Sequence, residues 1–230
     1  MFKTLLKLFA FIILIFTINV VFIKSPANII STFDLIFLNF DKFEFYHLSK
    51  INFQYIICFC LYNNMIIYYT LSEISESNTY LSMIVYRIGI FKSYILLVKK
   101  DLKKLFLMFL TSFITLSLLT TIYSQFSLKN LELLDFLLCF IYMIRYYLMI
   151  LIFSFIYNFL SIYGKNLKGL YIVNMIFIIL LLIDIFFGVI IVTFSGIFIC
   201  EIKNLLLLML ILIVIFCLNI IMMNKKGDIL

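Results

Sequence analysis

From Leu205 to Phe216 every residue is apolar, and the run continues to Met223 with Asn219 as its one polar interruption. A helix crosses about 30 Å of hydrocarbon in about 20 residues, so a segment of this kind has a bilayer as its natural solvent. Five more runs of similar length and character precede it: Leu5 to Ile23, Ile51 to Leu71, Leu105 to Phe126, Phe136 to Ile162 and Leu170 to Phe194. Barrel strands would be about 9–11 residues long and alternate in polarity, which the Leu205 run does not. Composition agrees: 66% of the 230 residues are hydrophobic and 13% charged, against about 45–50% and about 25% in soluble domains. A water-soluble globule of this size has too little interior to hide so much apolar surface. The expected fold is an all-α polytopic membrane protein, a single domain of six transmembrane helices over residues 1–230.

The Ile, Phe and Val that fill these runs are weak helix formers in water. In lipid the backbone can satisfy its hydrogen bonds only within the helix, so propensity is overridden. Orientation follows from basic residues, which concentrate in cytoplasmic connections. Lys3 and Lys7 precede the first run, and Arg87, Lys92, Lys99, Lys100, Lys103 and Lys104 lie between the second and third. Lys165 and Lys168 separate the fourth and fifth, and Lys225 and Lys226 follow the sixth. These alternate connections hold twelve basic residues, whereas the opposite set holds five: Lys24, Lys42, Lys50, Lys129 and Lys203. Both termini are therefore expected in the cytoplasm. The net charge of +7 is a topology signal, and without a water-exposed basic fold it gives no reason to expect nucleic acid as a partner.

Two alternatives to this map are disfavoured. Met1 to Ala27 has the basic start and small-residue end of a signal peptide, but its uncharged run from Leu8 to Ile23 is 16 residues long and Lys24 follows it directly. A seventh span over Tyr80 to Val98 would bury Arg87 and Lys92, at about 2.5–3.5 kcal/mol each near a helix centre.

The longest cytoplasmic connection, 72–104, opens on the polar stretch from Ser72 to Asn78. It turns apolar and basic through Tyr80 to Gly89 and closes on Lys99-Lys100-Asp101-Leu102-Lys103-Lys104. Such a segment either lies along the inner leaflet or docks a partner. The extracellular connection 24–50 has no net charge, with Phe33, Ile36, Phe37 and Phe40 at helical spacing and Asp34 and Asp41 on another face.

Arg145 and Asp184 are the ionisable residues expected well inside spans, where charge points to function by default. Arg145 lies about 14 Å below the outer edge of the fourth span and Asp184 about 15 Å from the end of the fifth. Equal depth on adjacent antiparallel helices predicts an intramembrane ion pair. Such a pair would either serve a transport path or only fix helix register.

Catalytic chemistry is not expected. His47 is the sole histidine, and the five cysteines, Cys58, Cys60, Cys139, Cys200 and Cys217, form no CxxC. No metal centre or disulfide framework follows from them. Gly164-Lys165 is followed by Asn166 and lacks the upstream glycine of a phosphate-binding loop. HExxH and GxSxG are absent, and Gly188 has no GxxxG partner. No cofactor is expected in this chain.

The octet Arg87-Ile88-Gly89-Ile90-Phe91-Lys92-Ser93-Tyr94, in a long basic connection after the second span of six, resembles the permease subunits of type-2 ABC exporters. It is most similar to the small bacterial permeases that accompany bacteriocin and lantibiotic export or immunity. The resemblance covers the topology of the whole chain but the residues of this octet alone, and Ile90 and Phe91 stand where relatives often carry polar or basic side chains. It implies a bacterial plasma membrane, a separate cytoplasmic ABC ATPase as partner, and a second permease copy or sister permease completing a dimer. Arg87, Gly89 and Lys92 would belong to the segment coupled to the ATPase. The cargo would be a peptide or other amphipathic molecule, moved by alternating access. The competing expectation is a membrane protein that does not transport, such as a bacteriocin immunity or complex-assembly protein, which the few polar residues in the spans favour.

Overall fold

The computed structural model describes residues 86–127, 133–162, 166–187, 191–192 and 198–227, with helical positions 6, 7, 9, 10, 12–14, 17, 60, 67, 68 and 71 ahead of them. The expectations for 24–50, for the polar opening at 72–78, for His47, Cys58 and Gly188, and for most of the first two spans lie outside these residues. Within them the chain is helical and contains no strand.

Four continuous helices are found among the described residues: α1 (Ile90–Ser127), α2 (Leu133–Ile162), α3 (Asn166–Phe187) and α4 (Phe198–Gly227). The segments Ile90–Leu119, Phe140–Ser161 and Ile199–Met223 are long and apolar enough to cross a membrane. The second half of the connection read from the sequence, 90–104, is continuous with the third span. Together they make a single helix of 38 residues, about 57 Å long. The lysines do not interrupt it because they turn outward. Lys92, Lys99, Lys100 and Lys103 are exposed, while Tyr94, Leu97, Val98, Asp101, Leu105 and Met108 form the buried side.

Side-chain contacts set the directions of the helices. Phe113 meets Phe140 edge-on at 5.6 Å, Phe109 meets Tyr147 at 5.3 Å, and Asp101 meets Asn158, so α1 and α2 are antiparallel. Phe153 packs on Phe177, while Gly169 lies beside Tyr157 and Leu160, which makes α3 antiparallel to α2. Arg145 reaches Glu201, and Phe155 meets Phe216 farther along, so α4 runs parallel to α2. Helix α2 is thus the central element, buried at every residue from Met149 to Phe155. Ile12, Ile67 and Leu71, from the first two apolar runs, are fully buried in the same core.

The outward side of α4 is apolar, with Leu206, Leu207, Leu210, Ile213, Val214, Leu218 and Ile221 all exposed. This is the surface expected of a helix whose solvent is lipid, because burial there brings no gain over hydrocarbon contact. Hydroxyls within α1 are satisfied locally. Thr111, Thr115, Ser117 and Thr121 donate to carbonyls three or four residues earlier, at 2.7–3.0 Å, which satisfies these donors inside an apolar medium.

The starts of α1 and α3 and the ends of α2 and α4 lie at one end of the bundle. That end gathers Arg87, Lys92, Lys99, Lys100, Lys103, Lys104 and Lys168, with Lys225 and Lys226 in the last turn of α4. Of the remaining basic residues on these four helices, Lys203 belongs to the other end and Arg145 is buried within α2. The charge asymmetry read from the sequence is therefore an asymmetry of the folded bundle.

Candidate functional site

At the basic end, Tyr86, Arg87 and Ile88 are helical, Gly89 has a φ of +83°, and α1 begins at Ile90. An L-residue enters that backbone region only at a cost, and glycine enters it freely. Gly89 separates the helical residues 86–88 from α1. Its carbonyl accepts both the Ser93 N–H, at 3.1 Å, and the Ser93 hydroxyl. A Cβ placed on Gly89 would meet nothing within 4 Å, so the glycine answers to a backbone bend and not to crowding. Tyr86 is 93% exposed, and Arg87, Ile88, Phe91 and Lys92 are exposed as well. Arg87, Gly89 and Lys92, the residues singled out from the sequence, thus form an exposed elbow at the start of α1.

A second site lies inside the bundle. Arg145 is 1% exposed, and its Nη1 donates to both carboxylate oxygens of Glu201, at 2.8 and 2.9 Å. Its Nη2 donates to the Ile191 carbonyl at 2.8 Å. Asp184, fully buried, accepts the N–H of Ile191 at 2.9 Å and that of Val192 at 2.6 Å. The structure therefore brings Arg145 and Asp184 to the same short segment, one holding its carbonyl side and the other its amide side. Arg145 forms a salt bridge with Glu201, a residue not singled out from the sequence. Glu201 sits in the first turn of α4, where the helix dipole favours a carboxylate.

The same contacts shape the backbone. The expected fifth span ran to Phe194, but α3 ends at Phe187 and the chain bends at 191–192. In a continued helix the Ile191 and Val192 N–H groups would bond carbonyls four residues back. Asp184 takes them instead, and the bend at 191–192 reaches the core, where Val192 is 1% exposed.

Two further polar contacts tie the helices together toward the basic end. Asn219 of α4 donates through Nδ2 to the Tyr94 hydroxyl of α1 at 2.9 Å and to the Phe155 carbonyl of α2 at 3.3 Å. Asp101 of α1 is fully buried, and its Oδ2 accepts from Asn158 Nδ2 and, at 3.4 Å, from Ser154 Oγ. Asp101 was read only as part of the basic close of the 72–104 connection, although its spacing of seven from Tyr94 places it on the buried side of α1.

Among the described residues no three His, Cys, Asp or Glu side chains are grouped so as to hold a metal ion. Cys60 and Cys200 are half-buried thiols and Cys217 is exposed. Compared with protein-family models, with curated proteins and with solved structures, the chain matches none.

Proposed function

We propose that this chain is the membrane-spanning permease subunit of an ATP-driven exporter, its basic end facing the cytoplasm and its six apolar runs crossing the bilayer. The observation that carries the reading is the elbow at Tyr86–Lys92. An exposed cationic and aromatic corner, bent by a left-handed glycine, leads at Ile90 into a helix of 38 residues. A partner pressing on that corner would move α1 as a lever against α2 and α4. A separate cytoplasmic ATPase is the partner this arrangement suits, and the rearrangement it drives is alternating access.

A second copy, or a sister permease, would complete the path, with the apolar side of α4 available to it or to lipid. Many of the polar groups in the described core bond one another, as in Arg145–Glu201 and Tyr94–Asn219. That suits an amphipathic or apolar cargo, such as a hydrophobic peptide, better than a hydrophilic one. The same feature is what a non-transporting immunity or assembly protein would show, and one experiment separates the two. Affinity purification in mild detergent should recover a stoichiometric ATPase with the wild-type chain, and the Arg87→Ala/Lys92→Ala variant should lose it. Recovery of no ATPase, or retention by the variant, would favour the non-transporting reading.

A further inference from the structure

Asp101 and Asn158 face one another between α1 and α2, both fully buried. One leg of their contact is complete, from Asn158 Nδ2 to Asp101 Oδ2, with Ser154 Oγ supporting the same oxygen. Asp101 Oδ1 and Asn158 Oδ1 are left buried with no hydrogen-bond partner. Both atoms are acceptors, so while Asp101 is ionised neither can satisfy the other, and an unsatisfied buried acceptor costs about 1–3 kcal/mol. A carboxylic acid and a primary amide are planar groups with matching edges, in which N–H meets C=O on one side and O–H meets C=O on the other. A single proton on Asp101 Oδ1, donated to Asn158 Oδ1, would satisfy both orphaned oxygens.

We infer that Asp101 is a proton-binding site, held as the neutral acid in a two-legged pair with Asn158. The proton comes from water at the basic end of the bundle and returns there when α1 and α2 separate. The charges that act on Asp101 are Lys104 and Lys100 of its own helix, and Tyr94 lies two turns earlier with Asn219 of α4 on its hydroxyl. Helix α2 presents Ser154 and Asn158, which do not titrate, and its Tyr147 hydroxyl donates to the Leu102 carbonyl at 3.3 Å. When the helices part, the two lysines favour the carboxylate. When they close, burial away from water favours the acid, and the orphaned Asn158 carbonyl oxygen is there to accept its proton. The site thus couples the position of α1 to one proton, whether or not the elbow docks an ATPase.

The test is infrared absorption of the purified full-length chain in lipid nanodiscs at mildly acidic pH, in the carbonyl region of protonated carboxyls. Wild type should show a carboxylic-acid band that Asp101→Asn lacks. Asn158→Leu removes the acceptor and should move that band to higher frequency, which keeps the test decisive if Asp101→Asn does not fold. The melting temperature of wild type relative to Asp101→Asn should fall as pH rises, because the native carboxyl holds a proton that the unfolded one releases. Two results would overturn the inference: no acid band that responds to either substitution, or a wild-type melting temperature that rises when sodium replaces choline at constant ionic strength. The latter would assign the two oxygens to a metal cation.

Discussion

Removing one partner of the Arg145–Glu201 pair strands a charge where water does not reach. Arg145→Met should therefore destabilise the bundle by about 3–5 kcal/mol, and so should Glu201→Leu. The double variant Arg145→Met/Glu201→Leu should lie much closer to wild type than the sum of the two, as measured by unfolding in mixed micelles. Asp184→Asn keeps one acceptor oxygen for two backbone donors, so one N–H at the 191–192 bend loses its partner, at about 1–3 kcal/mol. Arg145 and Asp184 were legible in the sequence because charge inside a long apolar run stands out. Glu201 was not, because the sixth run was read from Leu205, four residues too late. The apolar Phe198-Ile199-Cys200 just ahead of it was the available signal. Asp101 was masked differently, by four neighbouring lysines that made its surroundings look solvated.

The four helices follow the apolar runs closely where lipid and core impose the same pattern. They depart where a side chain competes for the backbone, as Asp184 does at the end of α3, or where lysines lie on one side of a continuous helix, as in α1. A count of charges per segment could not separate a basic loop from an amphipathic helix, whereas the three- and four-residue spacing of Tyr94, Val98, Asp101, Leu105 and Met108 does. Gly89→Ala places an L-residue at a φ of +83°, at about 1–2 kcal/mol of backbone strain, with no steric clash to relieve. Its effect should fall on partner recovery and elbow geometry more than on the melting temperature of the bundle. Gly169→Val should act in the opposite way. A Cβ there would sit 3.3 Å from the Leu160 Cβ and 3.4 Å from Tyr157 Cδ2. The added bulk should push α3 off α2 and destabilise by about 1–3 kcal/mol, seen as a lowered melting temperature.

For the whole molecule, one end of the bundle is basic, and Asp101, Tyr94 and Asn219 tie α1 to its neighbours near that end. The exporter reading rests on the basic end, with its elbow, facing the cytoplasm, and membrane-impermeant thiol labelling measures this directly. In a chain with Cys58, Cys60, Cys139, Cys200 and Cys217 replaced by serine, single cysteines are introduced as Tyr86→Cys in the elbow or Asn130→Cys between α1 and α2. The expected result is labelling of Tyr86→Cys only when the cytoplasmic face is opened to the reagent, and of Asn130→Cys in intact cells. Labelling of Tyr86→Cys in intact cells, or of both positions from the same side, would contradict a cytoplasmic elbow and with it the proposed coupling to an ATPase.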